Sequence, residues 1–329
     1  SLELVKQVQA LGVATWFCAF NIYNDNDSLE WGSNGQGTFE KYITPREGVF
    51  LRYYEAGQRG ETLLINEIGE DECPAHYEYL CSLPGVGDQL VKMKAEGIPF
   101  PASQIDHVAF HKYGYLIFIT YEPVPEAHDI FKRFAKVFEQ TYTRFLDLQK
   151  AEAQAREAQI ETALERVRSR TMGMQKSEEL KEVIQIVYDQ FVHLNIHIEH
   201  TGFIIEYKER DDLHIWVADQ HLVPSEVTIP CFDSPPNNSI KEAKEKGQDF
   251  FKYLLTFEEK NKFYQNLFKF LPDVPEDTVE YYFNCPGLAG SGVLLDNIGL
   301  YIENFSGTPY TDEENNILMR FGKVFQQTY

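Results

Sequence analysis

Ten residues near the middle of the chain come back at its end. Arg133-Phe134-Ala135-Lys136-Val137-Phe138-Glu139-Gln140-Thr141-Tyr142 is matched by Arg320-Phe321-Gly322-Lys323-Val324-Phe325-Gln326-Gln327-Thr328-Tyr329, with eight of ten positions identical at an offset of 187. Fainter echoes keep nearly the same spacing. Glu55-Ala56-Gly57-Gln58 matches Glu245-Lys246-Gly247-Gln248, Leu83-Pro84-Gly85-Val86 matches Leu271-Pro272-Asp273-Val274, and Trp31 falls near the place of Trp216. A period this long is a whole domain, not the unit of a solenoid. The length of 329 residues also exceeds what one compact core holds, so the sequence predicts one module written twice.

Each copy reads as mixed α and β. Trp16 to Tyr23 and a strand ending near Trp31 flank a polar turn at Asn24-Asp25-Asn26-Asp27. In the second copy, Thr201 to Tyr207 and Leu213 to Val217 flank Glu209-Arg210-Asp211-Asp212. Both have the β-branched and aromatic content of a hairpin. Further strands are expected at Val108–Phe110, Tyr115–Tyr121, Val279–Asn284 and Gly299–Glu303, and Cys285-Pro286-Gly287 to Gly292 is expected to be a hairpin connection. A helix opens each copy: Leu4, Val5, Val8 and Leu11 share a face before Gly12. Leu180, Val183, Ile184, Val187 and Phe191 do the same before Asn195. Gly12 and Asn195 both tolerate the left-handed conformation that ends a helix. A helix also closes each copy. Thr311 with Glu314 forms a capping box, and Pro125 suits a first helical position. Ile130, Phe134, Val137 and Phe138 then keep helical spacing, as do Ile317, Phe321, Val324 and Phe325.

Between the copies the chain avoids breakers. No proline occurs between Pro125 and Pro224, and no glycine from Glu126 to Arg170. Lys150 to Arg166 is rich in Ala, Glu, Gln and Arg, which favour helix. Leu146, Ala153, Ile160, Val167 and Met174 stand seven apart, with Leu164 between the later members, so a heptad seam is expected. Glu152 and Arg156 are spaced as an i, i+4 ion pair; Gly173 ends the run and Ser177 can cap a fresh helix. Two readings stay open: a helix packed on its own domain, or a parallel two-chain coiled coil in a homodimer.

The formal charge of −21 comes from the copies, since Asp147 to Glu182 holds eight acidic and seven basic residues. Such a surface repels phosphate backbones and anionic membranes, so neither nucleic acid nor membrane is expected as a partner. No apolar run approaches the length a spanning helix needs. Five cysteines, an odd number with no C-x-x-C pair, argue against disulfides or structural zinc and for a reducing cytoplasm. The chain opens Ser1-Leu2-Glu3-Leu4 without an initiator Met, which points to a processed or excised piece.

Phe134 to Tyr142, followed by Leu148-Gln149-Lys150-Ala151-Glu152-Ala153-Gln154-Ala155-Arg156-Glu157-Ala158 and Ala163-Leu164-Glu165-Arg166-Val167-Arg168, resembles linkers of multidomain bacterial signalling proteins of the sensor histidine kinase type. The flanking copies look like GAF-type sensor domains. The resemblance implies an α+β fold in three parts: a first GAF-like domain over 1–125, a long coiled-coil-type helix over 126–179, and a second GAF-like domain over 180–329. Each domain would have an antiparallel sheet with helices on one side and a ligand cavity on the other. Cyclic-nucleotide binding in that family needs a spaced Asn, Lys, Phe, Asp and Glu set, and Asn261-Lys262 lacks its continuation. Bilin attachment needs a cysteine beside a histidine, which neither Cys81 nor Cys285 has. The cofactor is therefore unknown.

No sequence motif assembles a nucleophile, base and orienting acid. Gly32, Gly35 and Gly37 around Ser33-Asn34 lack the order of a dinucleotide loop and read as a turn. His193, His197 and His200 diverge where the helix ends, so no metal is expected. His107 and His111 read as a polar patch on one face of a half-exposed sheet. The 46 aromatic residues can line a cavity for a planar ligand. Candidates are Trp216, Phe232, Tyr264, Tyr282 and Phe283 in the second copy, with Trp16, Trp31, Tyr54, His76 and Tyr79 in the first. The expectation is a non-catalytic sensory fragment that binds a small molecule and relays its state through a dimeric helix. Kinase signatures are absent, and an effector is expected beyond Tyr329, where the first copy runs on into its linker. A dimerisation or interaction scaffold with empty lobes is the alternative, and a small-molecule enzyme the third.

Overall fold

The computed structural model describes residues 1–176, 179–209, 212–219, 225–271, 274–296 and 298–328. The cap expected at Ser177 and the tip Arg210-Asp211 lie outside the described residues. The chain forms two compact units, Ser1–Ala151 and Glu152–Tyr329.

Unit 1 begins with α1 (Leu2–Ala10), which turns at Gly12 in a left-handed conformation. Then follow β1 (Phe17–Tyr23), β2 (Asp27–Ser33), β3 (Tyr42–Pro45), α2 (Gly48–Gln58), β4 (Leu63–Ile68), α3 (Cys73–Ser82), α4 (Val86–Ala95), β5 (Gln104–His111) and β6 (Gly114–Thr120). The six strands pair antiparallel in the order β3-β2-β1-β6-β5-β4. After a 3-10 turn at Pro125–Ala127, α5 runs from His128 to Met172.

Unit 2 takes up the last part of α5 and continues with α6 (Leu180–His193), β7 (His200–Ile205), β8 (Leu213–Asp219), β9 (Ser225–Ile229), α7 (Pro235–Lys246), β10 (Phe250–Leu255), α8 (Phe257–Leu267), α9 (Glu276–Asn284), β11 (Leu288–Leu294), β12 (Ile298–Asn304) and α10 (Asp312–Thr328). Its sheet runs β10-β11-β12-β7-β8-β9, the first sheet's order read from the other edge. Every element of unit 1 thus has its counterpart, and the repeat is a repeat of topology. Register agrees as well: Phe20 pairs with Trp31, and Phe203 with Trp216.

Period-2 alternation sorts the strands between two layers. In unit 1, Cys18, Ala109, Leu116 and Phe118 pack under α1 and α5, against Val5, Val8, Phe131 and Ala135. Phe17, Ala19, Val108, Tyr115, Ile117 and Ile119 face α2, α3 and α4. In unit 2, Phe203, Ala218, Val293, Leu300 and Ile302 face a helical layer of α6, α10 and the C-terminal part of α5. Ile204, Ile215, Phe251, Leu294 and Tyr301 face α7. The result is α+β: two six-stranded antiparallel sheets flanked by helices, with one long helix between them. Thr311 and Glu314 form the expected capping box, Glu314 Oε2 accepting from the Thr311 amide at 2.8 Å.

Several expectations are corrected. Val279–Asn284 is helical, within α9, although Tyr281, Tyr282 and Phe283 are strand-prone. Pro275 at the N-cap and Glu276 and Asp277 in the first turn start the helix, and the Lys260 ammonium donates to the Tyr282 carbonyl near its end. The stretch from Leu288 to Gly292 is strand β11, not a hairpin connection. A Cβ at Gly290 would stand 2.2 Å from the ring of Tyr253, and one at Gly292 2.1 Å from that of Phe251, so glycine lets the β10 rings lie across β11. His107 and His111 are buried beneath α5, against Phe131 and Phe138, rather than half exposed. Arg156 pairs with Glu313 at 3.2 Å instead of with Glu152, and donates to the Leu194 carbonyl. Of the expected dimer seam, Ile160, Leu164 and Val167 are buried in the core of unit 2, where Met174 also packs. These residues pack on α6 and α10 of their own chain. Leu146 is half-buried and Ala153 exposed.

Candidate functional site

In both units the sheet face turned toward α2–α4, or α7–α9, encloses a cavity. In unit 2 the cavity measures about 640 Å³; in unit 1, about 50 Å³.

The unit 2 cavity is floored by Ile204, Ile215, Phe251, Tyr253 and Tyr301 from the sheet. Ile240 and Asn237 of α7 form one wall, and Phe263 and Tyr264 of α8, Phe268 at its C-cap and Tyr282 of α9 the other. The second wall is a ring stack. Tyr264 meets Tyr282 edge-on at 4.7 Å between centroids, and Phe305 meets Tyr282 at 4.7 Å. Lys260, wholly buried, fastens this wall by donating to the Tyr282 carbonyl, and burial lowers its pKa.

Polar groups converge at one end. The Tyr253 hydroxyl donates to Glu303 Oε1, and His200 Nδ1 lies 3.3 Å from Glu303 Oε2. A carboxylate only accepts, so His200 carries its proton on Nδ1. Nε2 then accepts from the Tyr282 hydroxyl at 2.7 Å. Tyr282, His200, Glu303 and Tyr253 therefore form a hydrogen-bond network that spans floor and wall and converges on the Glu303 carboxylate from both sides. Burial, followed by the charge of Glu303, pushes the Tyr282 and Tyr253 hydroxyls up, so both stay protonated donors. Asp219 and Glu226 add carboxyl groups to the lining, and no Lys or Arg is among the described lining residues.

In unit 1 the same space is filled. Phe50 and Tyr53 of α2 sit 187 residues before Asn237 and Ile240 and project rings where unit 2 has smaller side chains. Tyr77 stacks on Phe100 at 4.4 Å and meets Trp16 edge-on at 5.7 Å. Two carboxyl groups are buried in the packing. Glu30 accepts from Tyr42 at 2.6 Å, Asn21 at 2.9 Å and Tyr115 at 3.1 Å. Asp106 accepts from Tyr53, from Gln104 at 2.7 Å and from Asn66 at 3.3 Å. Burial raises both carboxyl pKa values, opposed by these donors. By strand register, Asn21 and Glu30 answer to Ile204 and Ile215, and Asp106 to Gly290. The two sheets thus carry their charges at different places.

Of the residues singled out from sequence, Tyr264, Tyr282, Trp16 and His76 line the cavities. Phe232 stands behind the wall, stacked on Phe263 and Phe270, and Phe283 packs on Phe268. Trp31 and Trp216 are on the opposite sheet faces: Trp31 stacks on Phe20, and Trp216 packs on the helical-layer core. Tyr54 lies beside Tyr23 and the Arg46 guanidinium, and Tyr79 donates to Glu47 at 3.3 Å. Sequence reading missed Glu303, Tyr253 and Tyr301. Alternation along the expected strand Gly299–Glu303 puts Tyr301 and Glu303 on one face, which was the available signal.

Among the described residues no group of three His, Cys, Asp or Glu is placed to hold a metal. No described helix is long and apolar enough to cross a membrane. No protein-family model matches the sequence, and no curated protein does. Among solved structures, the chain is similar to the GAF domain from Acinetobacter phosphoenolpyruvate-protein phosphotransferase, with a TM-score of 0.33 and 9% identity. The match covers 51% of this chain and 90% of that one.

Proposed function

We propose that the chain is a non-catalytic sensory fragment in which unit 2 binds a small molecule and unit 1 is a filled, structural copy. The observation that carries this reading is the contrast of about 640 Å³ against about 50 Å³ at the same place in one topology. A space of that size with apolar walls and few polar groups has the character of a ligand site. Its ring-lined wall favours a planar, largely apolar molecule. Its charged lining is acidic, which favours a neutral or cationic ligand over a carboxylate or phosphate. Protonated tyrosine hydroxyls, and a described lining that includes no Ser, Cys or Lys, speak for binding. The free cysteines suit a cytoplasmic setting.

A relay path supports the sensory part. Strand β12 points Tyr301 and Glu303 into the cavity and Leu300 and Ile302 into the core shared by α5, α6 and α10. A ligand that binds one position of β12 more tightly than another biases the helical layer, and only such a difference in affinity shifts it. The test is native mass spectrometry of the purified chain, then thermal shift with paired aromatic amines and aromatic acids of matched skeleton. Retained or stabilising small molecules are expected, with amines ahead of acids. No stabilisation by any planar molecule would leave the scaffold reading, which the filled cavity of unit 1 already favours for that unit.

A further inference from the structure

Two hydroxyls in the unit 2 cavity stand outside its hydrogen-bond network. Tyr264 is 3% exposed and Tyr301 8%, and both line the cavity. Neither hydroxyl has a hydrogen-bond partner among the described residues, although Tyr253 and Tyr282 of the same lining are both engaged. Each oxygen keeps free surface, and in residues this buried that surface faces the cavity. Burial, followed by the charge of Glu303, raises both phenols, so each is held as an O–H donor.

Unit 1 shows that the fold does not demand these groups. The strand pair β1–β6 carries Phe17, Ala19, Ile117 and Ile119 on its inward face. At the same register, β7–β12 carries His200, Gly202, Tyr301 and Glu303. Three apolar residues have given way to polar ones, and the alanine to glycine. The glycine serves the tyrosine: a Cβ at Gly202 would stand 2.5 Å from the Tyr301 ring and 2.7 Å from its hydroxyl oxygen, so its absence lets the ring lie across β7. Tyr77 of α3, 187 residues before Tyr264, donates to Gln104 at 2.5 Å. Unit 1 thus satisfies internally what unit 2 leaves open. A buried donor without an acceptor is unfavourable unless a bound molecule supplies one.

We infer that the Tyr264 and Tyr301 hydroxyls donate to the ligand of unit 2, and that this ligand is a neutral, planar compound bearing a conjugated carbonyl oxygen. The inference rests on the reading of unit 2 as a ligand site. Carboxylates in the lining already serve as acceptors, and these hydroxyls supply the donors that carboxylates cannot. Neutrality follows from Asp219, Glu226 and Glu303, with no Lys or Arg among the described lining residues to balance an anion. A carbonyl oxygen offers two lone pairs without a charge, and conjugation holds it in the plane of a ring that the aromatic wall can stack on.

The probes are 9-fluorenone and fluorene, one skeleton with and without the carbonyl, measured by equilibrium dialysis against the whole chain. Tyr264→Phe and Tyr301→Phe should each weaken fluorenone by about threefold to tenfold and leave fluorene unchanged. Each variant removes a hydroxyl with no partner among the described residues, so without ligand both should melt like the parent chain. The infrared carbonyl stretch of bound fluorenone should lie below its value in hexane and rise in either variant. Fluorenone indifferent to both variants, or both probes weakened alike, overturns the inference and leaves the ligand site standing. So does retention of aromatic amines without fluorenone. Retention of neither probe and of no amine overturns the inference together with the ligand site.

Discussion

Units 1 and 2 have the same strand order and the same pairings, yet one buries a polar network where the other keeps a cavity. The frame is set by the alternation of apolar residues along six strands, and it survives wholesale exchange of what projects from it. Tyr53 against Ile240, Phe50 against Asn237, and Glu30 against Ile215 change the interior without changing the sheet. A fold of this kind is specified by pattern, and its site by a handful of inward side chains.

The contrast is broken most sharply by emptying unit 1. Tyr53→Ala removes a fully buried ring and leaves Asp106 and Asn66 short of a donor and an acceptor. A loss of about 3–5 kcal/mol is expected for unit 1. Trp16 and Trp31 lie in unit 1 and Trp216 in unit 2, so urea unfolding on a Trp216→Phe background follows unit 1 by fluorescence. A loss below about 1 kcal/mol would mean that the packed interior is not what holds this unit. The reverse change sharpens the contrast. Ile240→Phe with Asn237→Phe places rings in the unit 2 cavity as unit 1 does. Stabilisation by a planar amine, about 2.7 kcal/mol at a hundredfold excess over Kd, should vanish while the ligand-free stability stays within about 1–2 kcal/mol.

Acid separates the units next. Burial lowers His107 and His111 to about 4. Geometry gives the reason. The Thr120 hydroxyl donates to the Glu122 carbonyl and accepts from His107 Nε2, which leaves His107 Nδ1 bare and buried. His111 Nδ1 accepts from the Tyr113 amide, so protonating it breaks that bond. The folded values lie below the unfolded ones, so the unfolded chain takes up more protons and stability falls as pH drops from about 6.5 toward 4. Glu30 and Asp106 act in the opposite sense, since their raised values favour the protonated folded form as pH falls. Comparison with His111→Gln isolates the histidine. The parent should lose about 2 kcal/mol more than the variant between neutral pH and pH 5. Equal slopes would show that His111 charges in place.

What the sequence told was the frame. The repeat, Gly12 and Asn195 at the ends of the opening helices, and the Thr311 box were local signals, each settled by neighbours in the chain. The site was less legible because its members are set by pairing across strands. Glu30 meets Asn21 only through β1–β2 register, and Glu303 meets His200 across β12 and β7. The aromatic run in α9 misled because ring content favours strand, while the decisive contact, Lys260 on the Tyr282 carbonyl, comes from α8. Heptad spacing in α5 was real, but spacing cannot tell a partner chain from the chain's own α6 and α10.

The smallest effect concerns two arginines that the repeat makes equivalent. Arg320 bridges Glu157 and Glu161 across helices, and its side chain is 24% exposed while the glutamates are 57% and 59% exposed. Partly solvated pairs of this kind contribute little, more when one cation serves two anions. Arg320→Ala should therefore lower the melting temperature of unit 2 by about 1–2 °C, and that shift should shrink in 1 M salt, where the screening length is about 3 Å. Arg133→Ala should leave the melting of unit 1 unchanged, because Arg133 is exposed and makes no ion pair among the described residues. Equal shifts at both arginines would mean that Arg133 already has a partner, and the helical layers would then be alike after all.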